Sequence, residues 1–554
     1  MSIDVTSLYN RRANQRWDRV AVGDMLERLT WSRPDQEALV GWHGAYSDPA
    51  YQRLTYRSAN DIANRVANGL LSAGLQRGDR VLLYCENSVE AFLVKMAVAK
   101  AGLVSAPVNP ALAPDVVTYL IDLVEPRFAV VDAELWPRAE PAFSAAGIEP
   151  SVTIPIGGDA APGSVSFTEF LDGQSADEPD VEIHGDDIWE ILFTSGTTAM
   201  PKGVMLSHTY AHMGAYSFAL SLTRGLRIEA DLRLCSFLPL IYHVADHPFG
   251  LPPMLCGGSL VIGRRPVAEE VAQAITRERV TALWGGSPQL VKTVTQTLLS
   301  DRMAHDASSL TVIVYGWGAL EPGTAATLKQ LCGEDLVLVG IFGQTEAISC
   351  HRFWPDVWLE KYRRTAPEVN YVGIPNPMLA ANVVDAEGRS LWGEPDVAGE
   401  AVYRSPAVTA GYYRDEAATR EVFRDGWFHS GDSCVYDEDG LRIMVDRFKD
   451  IIKSGGENVS SLRVEAVLHQ HPDVAKAAVI GLAHDRWGEA VTAVVVPEPD
   501  HKPDEDDVIE FCRARLAGFE TPKSVVTVDA LPETVGGKVL KYKLREQLAS
   551  HFDG

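Results

Sequence analysis

No apolar run in the 554 residues reaches the ~18 that a membrane-spanning helix needs. The N-terminal stretch "MSIDVTSLYNRRANQRWDRV" also lacks the apolar centre of a signal peptide. Integral membrane association is therefore not expected, and the expected location is the cytoplasm. Cysteine is sparse: there are seven, an odd number with no CxxC pair, which argues against a disulfide frame or zinc site and for reduced thiols that fill space. No basic run is present, and 50 Lys+Arg against 75 Asp+Glu give a formal charge of −25. That charge repels a phosphate backbone, so no nucleic-acid partner is expected, and its simplest use is solubility. Internal repeats and low-complexity tracts are missing too. What is there, 46% apolar and 23% charged residues, is the composition of a soluble globular protein. The length exceeds one hydrophobic core, which predicts several subdomains.

The organisation is one of alternation. "RSANDIANRVANGLLSAG" from Arg57 places Ile62, Val66 and Leu70 at fourfold spacing and stops at Gly74, the pattern of an amphipathic helix. "VLLYC" (81–85) reads as a buried strand, "SVEAFLVKMAVAKAG" as a second helix and "AVVD" (129–132) as another strand. Such alternation predicts parallel sheets covered by helices. The Gly/Pro/Asp-rich stretch 157–179 reads as a surface connection between two α/β subdomains. "WEILFT" (189–194), "TALWGG" (281–286), "LTVIVYG" (310–316) and "DLVLVGIFG" (335–343) then read as strands; the last three end in glycine, where a doubly wound sheet delivers loops to a ligand crevice. Beyond Asp446, two apolar strands and the helix "EDDVIEFCRARLAG" predict a small α+β domain.

The stretch "LFTSGTTAMPKGVMLSH" (192–208) is the strongest phosphate candidate. Gly196 and Lys202 have the offset of a Walker loop, but Pro201 stands where its second glycine belongs and Gly203 where its hydroxyl belongs, so that reading fails. The hydroxyls of Thr194, Ser195, Thr197 and Thr198, the pivot Gly196 and the cation of Lys202 remain. Together they suit a clamp that wraps polyphosphate with hydrogen bonds and one positive charge.

Further motifs follow in order: "FGQTE" (342–346), "FHSGD" (428–432), "DRFKD" (446–450), "SGGEN" (454–458) and "PETVGGK" (532–538). With the phosphate stretch, these resemble the motifs of the adenylate-forming superfamily of acyl-CoA synthetases, adenylation domains and luciferases, over nearly the whole chain. The resemblance implies an α/β fold. A large N-terminal domain (1–445) holds α/β subdomains with doubly wound sheets and a small β-barrel-like element; a hinge (446–450) leads to a small mobile α+β domain (451–554). It implies ATP, Mg2+ and CoA as cofactors and co-substrate, and a small-molecule carboxylic acid as the partner to be activated. Lys538, Thr345 and Glu346 would be catalytic: Lys538 bridging the substrate carboxylate and the α-phosphate, Thr345 bonding that phosphate, Glu346 holding the metal. The nucleotide would also meet Thr194 to Thr198, Lys202, Gly316, Phe342 stacked on adenine, Gly343, Gln344, Asp432 on the ribose and Arg447. The acyl pocket would be lined by Tyr242, His243, Trp317, Gly318, Ile341 and Gly343. Lys453, Ser454, Gly455 and Gly456 would line the CoA tunnel once the small domain rotates about Lys449.

The sequence also departs from the family. Ala199 and Gly340 stand where the family has glycine and, often, Asn or Asp. The family's PLxH spacing becomes "PLIYH", so either Tyr242 or His243 is the acyl gate. No carboxylate follows directly to pair with an ammonium, which disfavours amino acids as substrates. Trp317 replaces a common small residue while Gly343 leaves space open, which points to a bulky cyclic, polycyclic or aromatic acid. The expected activity is an AMP-forming acid–thiol ligase. The alternatives are a stand-alone adenylating enzyme that serves an acyl-carrier protein or partner enzyme, a medium- or long-chain fatty acyl-CoA synthetase, and a nucleotide-binding regulatory protein.

Overall fold

The computed structural model describes residues 19–194, 200–367, 369–447, 450–455, 457–533 and 539–552. The helix Tyr56–Ser72 begins at a capping box in which Thr55 and Ser58 satisfy each other's backbone amides. It buries Val66 and Leu70, with Ile62 partly buried against the same core. The helix Val89–Lys100 has no polar face; every residue is buried, as for a helix wrapped on all sides. Its charges are matched one by one, Glu90 accepting from the Ser47 amide at 2.6 Å and Lys100 pairing with Glu178 at 2.6 Å.

Arg80–Tyr84, Val104–Pro107, Phe128–Asp132, Val152–Ile154 and Ile188–Thr194 lie parallel in one eight-stranded sheet. Glu37–Gly41, Ser259–Ile262, Arg233–Ser236, Ala282–Gly286, Val312–Gly316 and Val337–Gln344 form the parallel part of a second sheet. Helices cover both, so the doubly wound α/β reading holds. After Asp446, the hairpin Val474–His484 and Gly488–Pro497 carries the helices Ser461–Leu468 and Glu505–Arg513 over a core of their own.

Two expectations are corrected. The barrel-like element is an open run of antiparallel strands, Ala347–Phe353, Tyr371–Pro375, Arg442–Arg447, Trp427–Tyr436, Gly399–Arg404 and Ala380–Val384, continuing the second sheet. No closed barrel forms among the described residues. The stretch 157–179 is more than a surface connection. It contains the helix Phe167–Leu171, started by a Ser166–Glu169 capping box and anchored by fully buried Phe167. Phe170 also lies so near Gly69 that a Cβ there would be 2.8 Å from its ring.

Candidate functional site

The strand Ile188–Thr194 pairs antiparallel with Lys202–Ser207, with Thr194 opposite Lys202. A Walker loop opens a helix, whereas the segments flanking this phosphate candidate are strands paired with each other as the arms of a hairpin. Ser195, Gly196, Thr197, Thr198 and Ala199 lie outside the described residues. At the hairpin's end the Lys202 ammonium sits over the Tyr412 ring, 5.0 Å from its centroid. The Tyr412 hydroxyl donates to Glu346 Oε1 at 3.0 Å. Burial, then the Glu346 charge, pushes the Tyr412 phenol above its ordinary range, so it stays a donor.

Further ties bring the "FGQTE" turn against the same hairpin. Tyr210 Oη donates to the Thr345 carbonyl at 2.8 Å. The Thr409 amide donates to the Glu346 carbonyl at 2.7 Å and its hydroxyl to the Met205 carbonyl at 2.7 Å. Sequence reading singled out neither Tyr210, Thr409 nor Tyr412. Tyr412 could be found only through the pairing of Gly411–Tyr412 with Val204 and Met205.

On the other side of that turn, Gln344 Nε2 lies 3.3 Å from Asp432 Oδ2. Asp432 is buried and sits in register with Arg447, whose Nε is 3.4 Å from Asp432 Oδ1. Phe342 packs partly into the antiparallel core and faces His351 across the strand pair at 6.3 Å. Gly340 and Gly316 are shaped by neighbours. A Cβ at Gly340 would lie 3.2 Å from Tyr315 Oη, and one at Gly316 would lie 3.3 Å from the Ile341 carbonyl. The buried Tyr315 ring takes the space beside Gly340 that a larger side chain would need.

The third group is aromatic. Trp317 has φ +65° and is 41% exposed. Its ring stands edge-on to Trp284 at 5.6 Å and to His243 at 6.3 Å. Trp284 in turn stacks on Phe249 at 4.2 Å. Gly286 admits this arrangement: at φ +68°, a Cβ would lie 2.4 Å from Leu238 and 3.3 Å from Trp317. Of the two gate candidates, His243 faces Trp317, whereas Tyr242 packs against the main core, where burial raises its phenol. Gly318 follows Trp317, Ile341 packs from the core side, and Gly343 is exposed. Trp284 and Phe249 were not anticipated, because only the fold brings them beside Trp317.

The small domain offers a second hairpin, Ile452–Ser454 with Glu457–Val459. Gly455 at its turn has φ +63° and donates its amide to the Trp487 carbonyl at 2.8 Å. Ser454 is buried, and its Oγ has no hydrogen-bond partner among the described residues. The Lys453 amide donates to Glu489 at 2.7 Å. Gly456, Lys449 and Lys538 lie outside the described residues. At the first residue of the segment read as a hinge, buried Asp446 accepts from the Ser461 amide at 2.7 Å and hydroxyl at 2.6 Å, at the start of the helix Ser461–Leu468.

The fold thus ties the end of the hairpin to the buried carboxylate of Glu346, sets Asp432 beside Gln344 and Arg447, and gathers His243, Trp284 and Trp317 into one aromatic corner. The AMP-binding enzyme model matches residues 26–413 and the AMP-binding enzyme C-terminal domain residues 463–538. The chain is 32% identical over 501 residues to a feruloyl-CoA synthase of Amycolatopsis, covering 89% of this chain and 94% of that protein. It is also 32% identical over 510 residues to the long-chain-fatty-acid–CoA ligase FadD13 of Mycobacterium tuberculosis, covering 91% and 95%. Among solved structures, ATP-bound MatB from Rhodopseudomonas palustris superposes with a TM-score of 0.80 at 28% identity, covering 96% of this chain and 99% of that one. The chain belongs to the AMP-binding enzyme family, among the acyl-CoA synthetases of the adenylate-forming superfamily. Among the described residues, no helix is long and apolar enough to cross a membrane.

Proposed function

We propose that the protein is an ATP-dependent acid–thiol ligase of the cytoplasm. It activates a hydrophobic, bulky cyclic, polycyclic or aromatic carboxylic acid and transfers it to CoA. The observation that carries this reading is the aromatic corner of His243, Trp317 and Trp284, found in a chain whose hairpin end Tyr412 joins to Glu346. A carboxylate oxygen of the acid attacks the α-phosphorus of ATP, and the bond to the bridging oxygen breaks as pyrophosphate leaves. The CoA thiolate then attacks the acyl carbon and AMP departs; the thiol proton goes to solvent.

Each residue has a role in this reading. The hairpin hydroxyls and Lys202 hold the phosphates, and Thr345 and Lys538 steady the charge that develops on the α-phosphate. Asp432, held between Gln344 and Arg447, accepts from the ribose hydroxyls, and Phe342 flanks the base. Glu346 is a buried carboxylate with one oxygen fixed by Tyr412, a hard oxygen donor that fits Mg2+ completed by phosphates and water. When bound there, Mg2+ would neutralise phosphate charge. Ser454 and Gly455 line the thiol's approach after rotation about Lys449, with Gly456 and Lys453 beside them.

The test is pyrophosphate and acyl-CoA formation across fatty, aryl and polycyclic acids, with CoA present and absent. Ring-bearing acids should give the highest kcat/KM and yield acyl-CoA. Pyrophosphate released with no acid at all would sink the ligase reading. A preference for linear fatty acids would remove the ring specificity. Acyl-AMP accumulating in the presence of CoA would move the acceptor to a carrier protein.

A further inference from the structure

Behind the acyl corner lies a buried cluster of charge. Lys95, in the middle of the helix Val89–Lys100, is 1% exposed, and its ammonium lies 2.5 Å from Glu190 Oε1 and 2.6 Å from Asp246 Oδ2. His247 Nε2 lies 2.9 Å from the other Glu190 oxygen. The Trp189 ring lies 5.6 Å from the ammonium and 5.2 Å from the His247 ring. Two local irregularities bring these groups together. The register of Ile188–Thr194 shifts between Ile188 and Glu190, and Asp246–Gly250 forms a π-helical turn. Both devices re-aim side chains that a regular strand or helix would send elsewhere.

Glu190, Asp246 and His247 are spaced like a metal site, their ligand atoms all within 4.8 Å of one another. The ammonium, however, already stands between the two carboxylates. Burial opposes its charge, but Asp246 and Glu190 more than offset that and hold Lys95 above its ordinary range. The cluster therefore carries its own cation.

The ammonium's remaining contacts show what that cation organises. It donates to the Ile241 carbonyl at 3.0 Å and reaches the Leu240 carbonyl at 3.5 Å. His243 follows Ile241 by two residues and precedes Asp246 by three, so both flanks of the gate residue are tied to one charge. Asn87 secures the preceding turn, its side chain donating to the Leu238 carbonyl at 2.8 Å and accepting from the Leu240 amide at 2.8 Å. Glu190 lies on the strand that ends at Thr194, and Tyr210, which holds Thr345, packs 5.4 Å from the His247 ring.

We propose that Lys95 is a positioning residue for the acyl gate: clamped by Glu190 and Asp246, its ammonium fixes the segment 240–246 so that His243 faces Trp317. This rests on the ligase reading for its kinetic consequence but not for its structural one, so the two can fail separately.

The test compares the full-length wild type with Lys95→Met and with Leu93→Ala, a fully buried apolar truncation on the same helix that serves as the stability control. Amide hydrogen exchange is read first. Lys95→Met should speed exchange across 238–247, whereas Leu93→Ala should speed it along the helix without the gate. Unchanged gate exchange in Lys95→Met, or equal gate changes in both variants, overturns the proposal whatever the activity. Kinetics follow on the best acid: Lys95→Met should raise KM for the acid about ten-fold or more and leave KM for ATP within about two-fold. Equal shifts in both KM values would make Lys95 merely structural and overturn it. A wild type without acid-dependent turnover sinks the ligase reading alone, and the exchange result still decides the clamp. Should Lys95→Met not fold, Asp246→Asn removes one tie and keeps the Lys95–Glu190 pair, with the same expected exchange pattern. One zinc per chain retained by wild type after dialysis against zinc, and lost in Asp246→Asn, would replace the ammonium with a metal and overturn the proposal.

Discussion

Tyr412→Phe removes one oxygen atom and isolates one interaction. The ring stays under the Lys202 ammonium, but Glu346 loses its 3.0 Å donor. Both partners are largely buried, Tyr412 at 8% and Glu346 at 9% exposure, so water replaces the lost hydroxyl poorly. A hydrogen bond to a charged group is worth about 1.5–3 kcal/mol. At about 1.4 kcal/mol per factor of ten, its full loss in the transition state lowers kcat/KM for MgATP by roughly 10- to 100-fold. Tyr412→Leu also loses the cation–ring contact, worth about 0.5–1 kcal/mol at a partly exposed site, and should fall a further 2- to 5-fold or so. The assay is acid-dependent pyrophosphate release at varied MgATP and free Mg2+, with melting temperatures measured alongside. Tyr412→Phe within about two-fold of wild type, or a KM change confined to the acid, would refute the role given to the Glu346 tie.

Trp317→Ala should widen acid acceptance. Selectivity between a ring-bearing and a linear acid should fall about ten-fold, as expected from losing one aromatic wall, and an unchanged ratio in a competition assay would reject the wall. Gly286→Ala should cost roughly 2–4 kcal/mol in urea unfolding, because the added Cβ meets both Leu238 and a positive φ; a loss under about 0.5 kcal/mol would contradict the close approach. Stability should also fall in mild acid. Burial, then its neighbour His212, holds the His208 imidazole down to about 3, and burial, then Arg28, holds His212 to about 4. Both stay neutral in the fold while the unfolded chain takes up protons below about 6.5, so each contributes a loss of about 2 kcal/mol between pH 6.5 and 5. His208→Gln should flatten that slope in urea midpoints, and an unaltered slope would refute the assignment.

The parts of this molecule legible in the sequence are those written in local pattern. The fourfold apolar spacing of 56–72 and the glycine-ended runs at 286 and 316 gave the alternation, and hence the doubly wound sheets. The failure of the Walker reading was legible too, in Pro201 and Gly203. What escaped depends on register or on distant partners. Tyr412 reaches Glu346 only because its short strand pairs with Val204. The charges at 95, 190 and 246 look isolated along the chain, and neither the bulge nor the π turn that joins them leaves a periodic trace. The barrel-like element came with the family resemblance alone, and no pattern along the chain shows that these strands end as an open run. Gly340 looked like a lost contact, but beside Tyr315 it is the only size that fits without displacement.

Trp317 separates two demands on the same residue. Of the described non-glycine residues with positive φ, it is the only aromatic one, and bulky side chains adopt that conformation at a cost of about 1 kcal/mol or more. The residue is more than half buried, and its packing, with the edge contacts to Trp284 and His243, offsets that cost. Glycine at this position would relax the backbone but give up the packing and the wall together. A screen for thermostable variants would therefore find no easy gain at position 317, where the side chain that strains the backbone is also the one that builds the aromatic corner.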